Sequence, residues 1–360
     1  MKPPYQVPSM TEINALPWNG FSVASTFAGC GGSSLGYRLA GFKVLYANEF
    51  VEEARNTYAS NARPSTFLDD RDIRDVTADD VLSKIGKKVG ELDVLDGSPP
   101  CSSFSMSGKR AAGWGKEHAY SDDQSQRTDD LFFEYARLLE GIQPRVFVAE
   151  NVTGLVRGVA KGYFKLILAR LSNVGYQVQA RIVDASYLGV PQSRKRLIFV
   201  GVRNDLGGKP VHPKPLGYRY SLREAIAGLD SPWSNGQAFD PETGERIDID
   251  GTALGREFIN VKAGKGSNKY LNLSRATMDL PVPTVTAMGG SSRGTASVTH
   301  QEPRKFTIPE LRRLCSFPDD FVLTGSYAQR WERLGRSVPP VMMGAIASTI
   351  RDEILGGSRV

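Results

Sequence analysis

Short apolar runs alternate with stretches of helical spacing over roughly the first two hundred residues. Phe21–Thr26 reads as a strand that opens into the loop Phe27-Ala-Gly-Cys-Gly-Gly32. A helical stretch follows, then Phe42–Ala47 as a second strand closed by Asn48-Glu49. Leu92–Asp96 predicts a third strand, stopping at Gly97-Ser-Pro-Pro100, and Arg145–Ala149 a fourth, stopping at Glu150-Asn151. Leu131–Leu139 and Tyr163–Leu171 have the apolar spacing of helices, while Gln177–Ala185 and Arg196–Val202 are β-branched runs able to pair. Strands alternating with helices predict an α/β fold with a parallel, doubly wound sheet and right-handed crossovers. Ligands of such sheets sit beyond the carboxyl ends of the strands, where the distinctive loops of this chain fall.

The regularity breaks between Asn204 and Val282, where Gly, Pro and charges are scattered, predicting a loop-rich module with some β structure. It returns after Pro283. Pro309–Phe317 is helix-like, and Pro340–Leu355 predicts an amphipathic helix with proline at its start. With 360 residues, 40% hydrophobic and 23% charged, the chain suits one large or two modest domains with a buried core. That composition excludes wholesale disorder, a collagen-like repeat and a disulfide scaffold. No run reaches the ~18 apolar residues of a membrane-spanning helix. Met1–Gly20, with three prolines before position 9, lacks the apolar core of a secretory signal. Three cysteines suit a reduced, cytoplasmic protein. The net charge of +6 is compatible with a nucleic-acid partner without proving one. It is unevenly spread: Arg256–Arg313 holds ten Lys/Arg against four acids, and Leu229–Asp250 six acids against Arg246 alone. A basic face that tracks phosphates would produce the first pattern. An unevenly charged solvated surface would produce it too.

Four motifs carry chemistry. The first is the glycine loop after the first strand, followed about twenty residues later by Glu49. Glycines let backbone approach a ligand, and an acid on the second strand can accept hydrogen bonds from ribose hydroxyls. Ser34 stands where a dinucleotide fingerprint has its third glycine, so the pattern suits a nucleoside without pyrophosphate, such as S-adenosylmethionine. Asp72-Ile73 could supply an acid and an apolar contact for its adenine. The second motif is Asp96-Gly-Ser-Pro-Pro-Cys-Ser-Ser-Phe-Ser105. A lone cysteine is more often a small core residue, but Cys101 follows two prolines at a strand's carboxyl end, where a thiolate would be reactive. Cys30 and Cys315 have weaker cases. The third is Glu150 at the end of an apolar strand, costly to bury without a partner. The fourth is Gln192-Ser-Arg-Lys-Arg196, whose i, i+2 arginines a strand would point to one side.

Together, Phe27–Gly32, Asn48-Glu49, Gly97–Ser105, Glu150–Val152, Gln192–Arg196, Arg304–Phe321 and Gly335–Pro340 resemble, in order and spacing, the cytosine-5 DNA methyltransferases. The resemblance covers roughly Phe21–Arg203 and Pro281–Ile350. It implies a Rossmann-like S-adenosylmethionine-dependent methyltransferase sheet with a smaller, loop-rich target-recognition domain. The catalytic domain would comprise residues 1–203 and 326–360, and the recognition domain with its hinge 204–325. It further implies that Cys101 attacks C6 of a cytosine flipped from double-stranded DNA. Glu150 would hold the ring's N3 and amine, Arg196 its O2, and Arg194 would support the nucleophile and a nearby phosphate. The cofactor would meet Phe27, Gly29, Cys30, Gly32, Glu49, Phe50, Asp72, Ile73, Pro100, Leu131, Ser337 and Val338, and leave as S-adenosylhomocysteine. DNA would meet Ser105, Lys109, Thr284 and Arg304. No metal is implied, and His118, His212 and His300 show no ligand spacing. A monomeric bacterial enzyme is implied, cytoplasmic and at the nucleoid when bound to DNA, with a cognate restriction endonuclease as functional partner and no membrane.

The chain departs from the family pattern at three places: Ser102 after the nucleophile, Arg336 where Asn is frequent, and the pair Cys315-Ser316 in place of Gln-Gly. A transfer-RNA-directed member of the family would carry a Cys-Phe-Thr signature in the recognition region, and none is present. A nicotinamide oxidoreductase is disfavoured by the missing third glycine and by the Pro-Pro-Cys site. A catalytically dead DNA-binding relative would have lost residues that this chain retains.

Overall fold

The computed structural model describes residues 2–100, 117–119, 125–127, 130–158, 160–270, 273–290 and 298–356. The chain divides into two compact units, one of residues 14–183, 195–214 and 343–360, the other of residues 1–13, 184–194 and 215–342. The first contains, in chain order after helix α1 (Met10–Ala15), β1 (Ser22–Thr26), α2 (Gly32–Leu39), β2 (Lys43–Asn48), α3 (Glu52–Asn61), β3 (Phe67–Asp69), α4 (Ala78–Ile85) and β4 (Val94–Gly97). The short antiparallel pair β5 (Glu117–Ala119) and β6 (Ser125–Arg127) follows. Then come α5 (Leu131–Ile142), β7 (Val146–Val152), α6 (Ala160–Asn173) and β8 (Tyr176–Asp184), with β10 (Lys195–Arg203) entering after β9 (Gln192–Ser193).

Seven strands form one sheet in the order β3-β2-β1-β4-β7-β10-β8. Every residue of β1 and β4 is buried, as expected for strands covered on both faces. The order places the carboxyl ends of β1, β4 and β7 side by side, with β1 parallel to β4 and β4 to β7. The expectation of a wholly parallel sheet needs one correction, because β10 runs antiparallel to β7. The link from β8 to β10 holds only a short 3-10 turn, Ala185–Leu188, and the two-residue β9. That is too little for the helical crossover a parallel strand requires.

The core of this unit gathers Leu131, Phe132, Tyr135, Leu138, Leu139 and Ile142 of α5 against Leu95, Phe147, Leu197 and Phe199 of the sheet. The Tyr135 hydroxyl sits 3.0 Å from the carbonyls of both Leu95 and Val148, so the ring is fixed beneath two strands. Gly97 exists for this packing: a Cβ there would come within 2.6 Å of Thr26 Oγ1 and of the Tyr135 ring. The end of α11 (Pro340–Glu353) returns to the same unit. There the Arg351 guanidinium donates to the Ala40 carbonyl at 3.0 Å, at the C-terminal end of α2.

The second unit is loop-rich, as its weak periodicity predicts. Its elements are α7 (Leu222–Ala225), β11 (Trp233–Ser234), β12 (Gln237–Ala238), α8 (Ala253–Phe258), β13 (Ser274–Arg275), β14 (Val282–Pro283), β15 (Val298–Thr299), α9 (Ile308–Leu314) and α10 (Tyr327–Arg336). Strand β14 pairs with β9, so Gln192-Ser193 belongs here rather than to the large sheet. A small cluster of Ile249, Leu254, Phe258 and Leu273 packs inside this unit. Helix α9 starts with a capping box between Thr307 and Glu310, and Asp240 accepts the Ile308 N–H at 2.7 Å.

Candidate active site

Backbone geometry builds the first part of the site. Leaving β1, the chain passes through left-handed residues at Phe27, Gly29 and Gly31, with φ of 52°, 57° and 95°. Phe27 is held in this uncommon region by its surroundings: Ala28 donates to the Asn48 carbonyl at 3.0 Å, and the Phe27 carbonyl accepts the Ser98 hydroxyl at 2.9 Å. A Cβ on Gly31 would meet the Tyr58 ring at 3.0 Å, whereas among the described residues nothing lies within 4 Å of one on Gly29. The loop is therefore packed on one side and open on the other. Cys30 is buried within it, and Gly32 begins α2.

Glu49 directly follows β2, beside the open glycine. Its carboxylate accepts the Gly29 N–H at 2.7 Å and the Val51 N–H at 2.8 Å. This acceptor-only group, fixed next to a glycine loop, fits the ribose of a nucleoside. Phe50 is half-buried, and its carbonyl accepts from Arg55 at 3.2 Å. Asp72 caps a 3-10 turn by accepting the Arg74 N–H at 3.0 Å, and Arg74 reaches Asp130 at 2.7 Å. Ile73 and Leu131 lie in the main core, 1% and 0% exposed, so both act as floor rather than rim.

The second part lies on β4 and β7. Asn151 donates to the Pro99 carbonyl at 3.1 Å, which fixes the two prolines against the neighbouring strand. Pro100 is half-buried, while Cys101, Ser105 and Lys109 fall outside the described residues. Glu150 points away from Asn151, as alternation in a strand demands. In the antiparallel ladder Arg196 faces Val152 and Ile198 faces Glu150, so Arg196 and Glu150 are diagonal neighbours on one face. Their contact is an ion pair, Nε to Oε1 at 2.7 Å, with both side chains largely buried.

Asp96 is the acidic group that reading the sequence left out. It is buried between β1 and α2, accepting the hydroxyls of Ser25 at 2.9 Å and Ser33 at 2.7 Å. Burial pushes its carboxyl up to about 6, against the lowering effect of those hydroxyls. The available signal was a carboxylate directly after Val94-Leu95, at the end of a strand predicted for a sheet covered on both faces.

The other expected residues belong to the second unit. Arg194 falls in the break between β9 and β10, so strand alternation does not relate it to Arg196. Its buried guanidinium donates to the carbonyls of Val285 at 3.2 Å and Gly335 at 3.0 Å. Thr284 donates to the Ser193 carbonyl at 2.8 Å, and Ser337 to that of Leu334 at 2.7 Å, while Val338 is buried. Arg304, expected at DNA, is instead 2% exposed with its guanidinium on Glu310 and Glu302 at 2.7–2.8 Å. The acidic stretch is likewise engaged inside the unit: Glu242 pairs with Arg312 at 2.7 Å and Arg330 at 3.0 Å. Part of the basic surplus is thus internal counter-charge. Burial pushes the Cys315 thiol up to about 11, which removes it as a nucleophile candidate. His212 and His300 are buried singly, and no cluster of three metal-binding side chains occurs among the described residues.

Known proteins resemble this chain in sequence and fold. The family model described as C-5 cytosine-specific DNA methylase matches residues 21–352. The type II methyltransferase M.NgoFVII of Neisseria gonorrhoeae is 30% identical over 344 residues, spanning 91% of this chain and 86% of that protein. M1.HphI of Haemophilus parahaemolyticus is 32% identical, spanning 90% and 85%. Among solved structures, a DNA modification methyltransferase encoded within an Escherichia coli prophage shares the fold, with TM-score 0.71, 22% identity, and 93% and 100% of the two chains covered.

Proposed function

Because the chain belongs to the C-5 cytosine-specific DNA methylase family, we propose how its own residues divide the transfer of a methyl group from S-adenosylmethionine to C5 of cytosine in DNA. The observation that supports this division is the Glu150–Arg196 pair at 2.7 Å, on the strand whose Asn151 grips Pro99. Cys101, as thiolate, adds to C6 of a flipped cytosine and makes C5 nucleophilic. Charge then builds on the ring. Glu150 holds N3 and the exocyclic amine, with a proton held transiently or shared with N3, and Arg196 turns donors toward O2. Bound S-adenosylmethionine supplies the methyl group that C5 takes up, leaving S-adenosylhomocysteine. C5 then loses its proton to a base or water, and the C6–S bond breaks to free Cys101.

Glu49 and the open side of Gly29 hold the cofactor's ribose in this reading, and Asp72 its adenine. Residues 204–325 read the DNA sequence, with Thr284 near the duplex, while Arg194 supports the nucleophile and a nearby phosphate and Ser337 contacts the cofactor. We infer further that the enzyme acts as a monomer on cytoplasmic DNA and protects it against a cognate restriction endonuclease, and the type II names of its relatives support the restriction part of this reading. No helix among the described residues is long and apolar enough to cross a membrane.

Duplex DNA carrying 5-fluorocytosine, in which C5 has no proton to lose, tests the covalent step. Incubation with labelled S-adenosylmethionine gives a denaturation-resistant protein–DNA complex with the wild type and none with Cys101→Ser. A Cys101→Ser protein that still traps DNA overturns the assignment of the nucleophile. Methyl transfer to transfer RNA rather than to duplex DNA overturns the substrate.

A further inference from the structure

Ser25 and Ser33 bracket the Phe27–Gly32 loop, one on the strand before it and one in the first turn of the helix after it. Both hydroxyls donate to the same oxygen of Asp96. The backbone adds two stitches to the same seam, Thr26 Oγ1 to the Asp96 carbonyl at 3.1 Å and Ser98 Oγ to the Phe27 carbonyl at 2.9 Å. One side chain on the strand leading to Pro99-Pro100 therefore fixes both ends of the loop.

Asp96 is 2% exposed. The titratable groups around it are Tyr37 of α2, Tyr58 of α3, Tyr135 of α5 and Glu150 of β7. None is a cation, and no lysine or arginine among the described residues pairs with Asp96. Hydroxyl donors satisfy its lone pairs but leave its charge uncompensated, an arrangement that disfavours the ionised form. A carboxylate placed this way, at the carboxyl end of the strands, is balanced when a ligand brings a positive charge to the loop.

We propose that Asp96 is a positioning residue that also serves as counter-charge for the cofactor, holding the loop by both ends and favouring the cationic sulfonium of S-adenosylmethionine over the neutral thioether of S-adenosylhomocysteine. The proposal rests on the assignment of the Phe27–Gly32 loop to the cofactor. It makes product release a consequence of charge loss: once the methyl group has gone, the attraction to Asp96 goes with it. It also couples binding to protonation. The Asp96 carboxyl lies near 6 without ligand, and a cation binds its ionised form better, so affinity for S-adenosylmethionine falls as pH drops through that value.

Calorimetry on the full chain with each compound separately decides the matter. Asp96→Asn should weaken S-adenosylmethionine at least about fivefold more than S-adenosylhomocysteine, the scale of one partly screened charge interaction. Ser33→Ala removes a donor but keeps the charge, and should weaken both compounds alike. Equal losses of both compounds in Asp96→Asn overturn the counter-charge role. If that variant melts too early to assay, the wild type measured at about pH 7.5 and about pH 5.5 carries the test. A falling preference for S-adenosylmethionine supports the proposal, and an unchanged preference overturns it. A Glu49→Gln protein that binds both compounds as well as the wild type overturns the loop assignment, and the proposal with it, whatever Asp96→Asn does.

Discussion

In the unit of residues 215–342, Arg304 lies against Glu310 and Glu302, and Glu242 is shared by Arg312 and Arg330. In the sheet unit, Asp96 is buried among hydroxyls and tyrosines with no cation beside it among the described residues, and Glu150 meets Arg196 at the end of a strand. The first region matches its buried charges within its own fold. The second leaves one unmatched and places another pair where a ligand can compete for it. Matched charge in this unit accompanies an apolar core of its own, with Phe306, Phe317 and Trp331 fully buried. Unmatched charge at strand ends is a feature stability alone would not retain, and this is where the chemistry is assigned.

The sharpest way to break that comparison is to remove Arg304. Its guanidinium holds Glu310, which also caps α9 through the Thr307 N–H at 2.8 Å. Arg304→Ala should lower unfolding stability by about 3–5 kcal/mol, because a buried carboxylate is left without its partner. Denaturant melts read this directly, and a loss below about 1 kcal/mol would place the pair among surface pairs of little consequence. Glu150→Gln is the counterpart on the sheet. It should reduce kcat by about 10²–10³, the usual effect of removing one group that stabilises developing charge, while costing less stability than Arg304→Ala, because glutamine keeps a hydrogen-bond acceptor for Arg196. Slow trapping of 5-fluorocytosine DNA by a folded protein is the expected signature. A destabilised protein that traps at the normal rate would make the pair structural, and the contrast between the units would disappear.

The elements that could be read from sequence are those whose burial follows a simple period. The runs at Phe21–Thr26, Leu92–Asp96 and Arg196–Val202 are built around apolar residues because both faces of the sheet are covered, with Ser22, Ser25, Asp93 and Asp96 among the polar interruptions, and each overlaps an observed strand. Helix α10 was not readable for the opposite reason. Glu332 and Arg333 are buried together with Trp331 and Leu334, so polar residues occupy positions a period search expects to be apolar. The direction of β10 depends on the shortness of a connection, which periodicity does not register. At the site, Cys101, Glu150 and Arg196 were named because their motifs are local. Asp96 was not, because its role depends on Ser25 and Ser33, which lie far from it along the chain and meet it only through strand pairing and helix packing. Arg304 was placed at DNA by the family resemblance, and neither the order of motifs nor the local charge shows which acids fold back over a guanidinium.

That last error also isolates a surface. Of the basic residues between Arg256 and Arg313, Arg256, Lys262, Lys265 and Lys269 are exposed, and among the described residues none of the four is paired with an acid. They fall on the segment that packs as Ile249, Leu254, Phe258 and Leu273, within the stretch assigned to target recognition. Arg312 and Arg313, a short distance along the chain, are both committed to acids. If the surplus charge serves DNA, it does so through the first group. Single Lys262→Gln, Lys265→Gln and Lys269→Gln variants should each weaken binding evenly across DNA sequences and flatten the log–log salt dependence by about 1. Arg312→Gln should leave that slope unchanged, because the charge it removes is already spent on Glu242. Salt titrations of the four variants on one duplex compare the two groups directly. A slope that falls for Arg312→Gln and holds for the lysines would move the phosphate-tracking face off the Arg256–Lys269 segment, and the division between matched and unmatched charge would no longer mark where this protein meets its ligands.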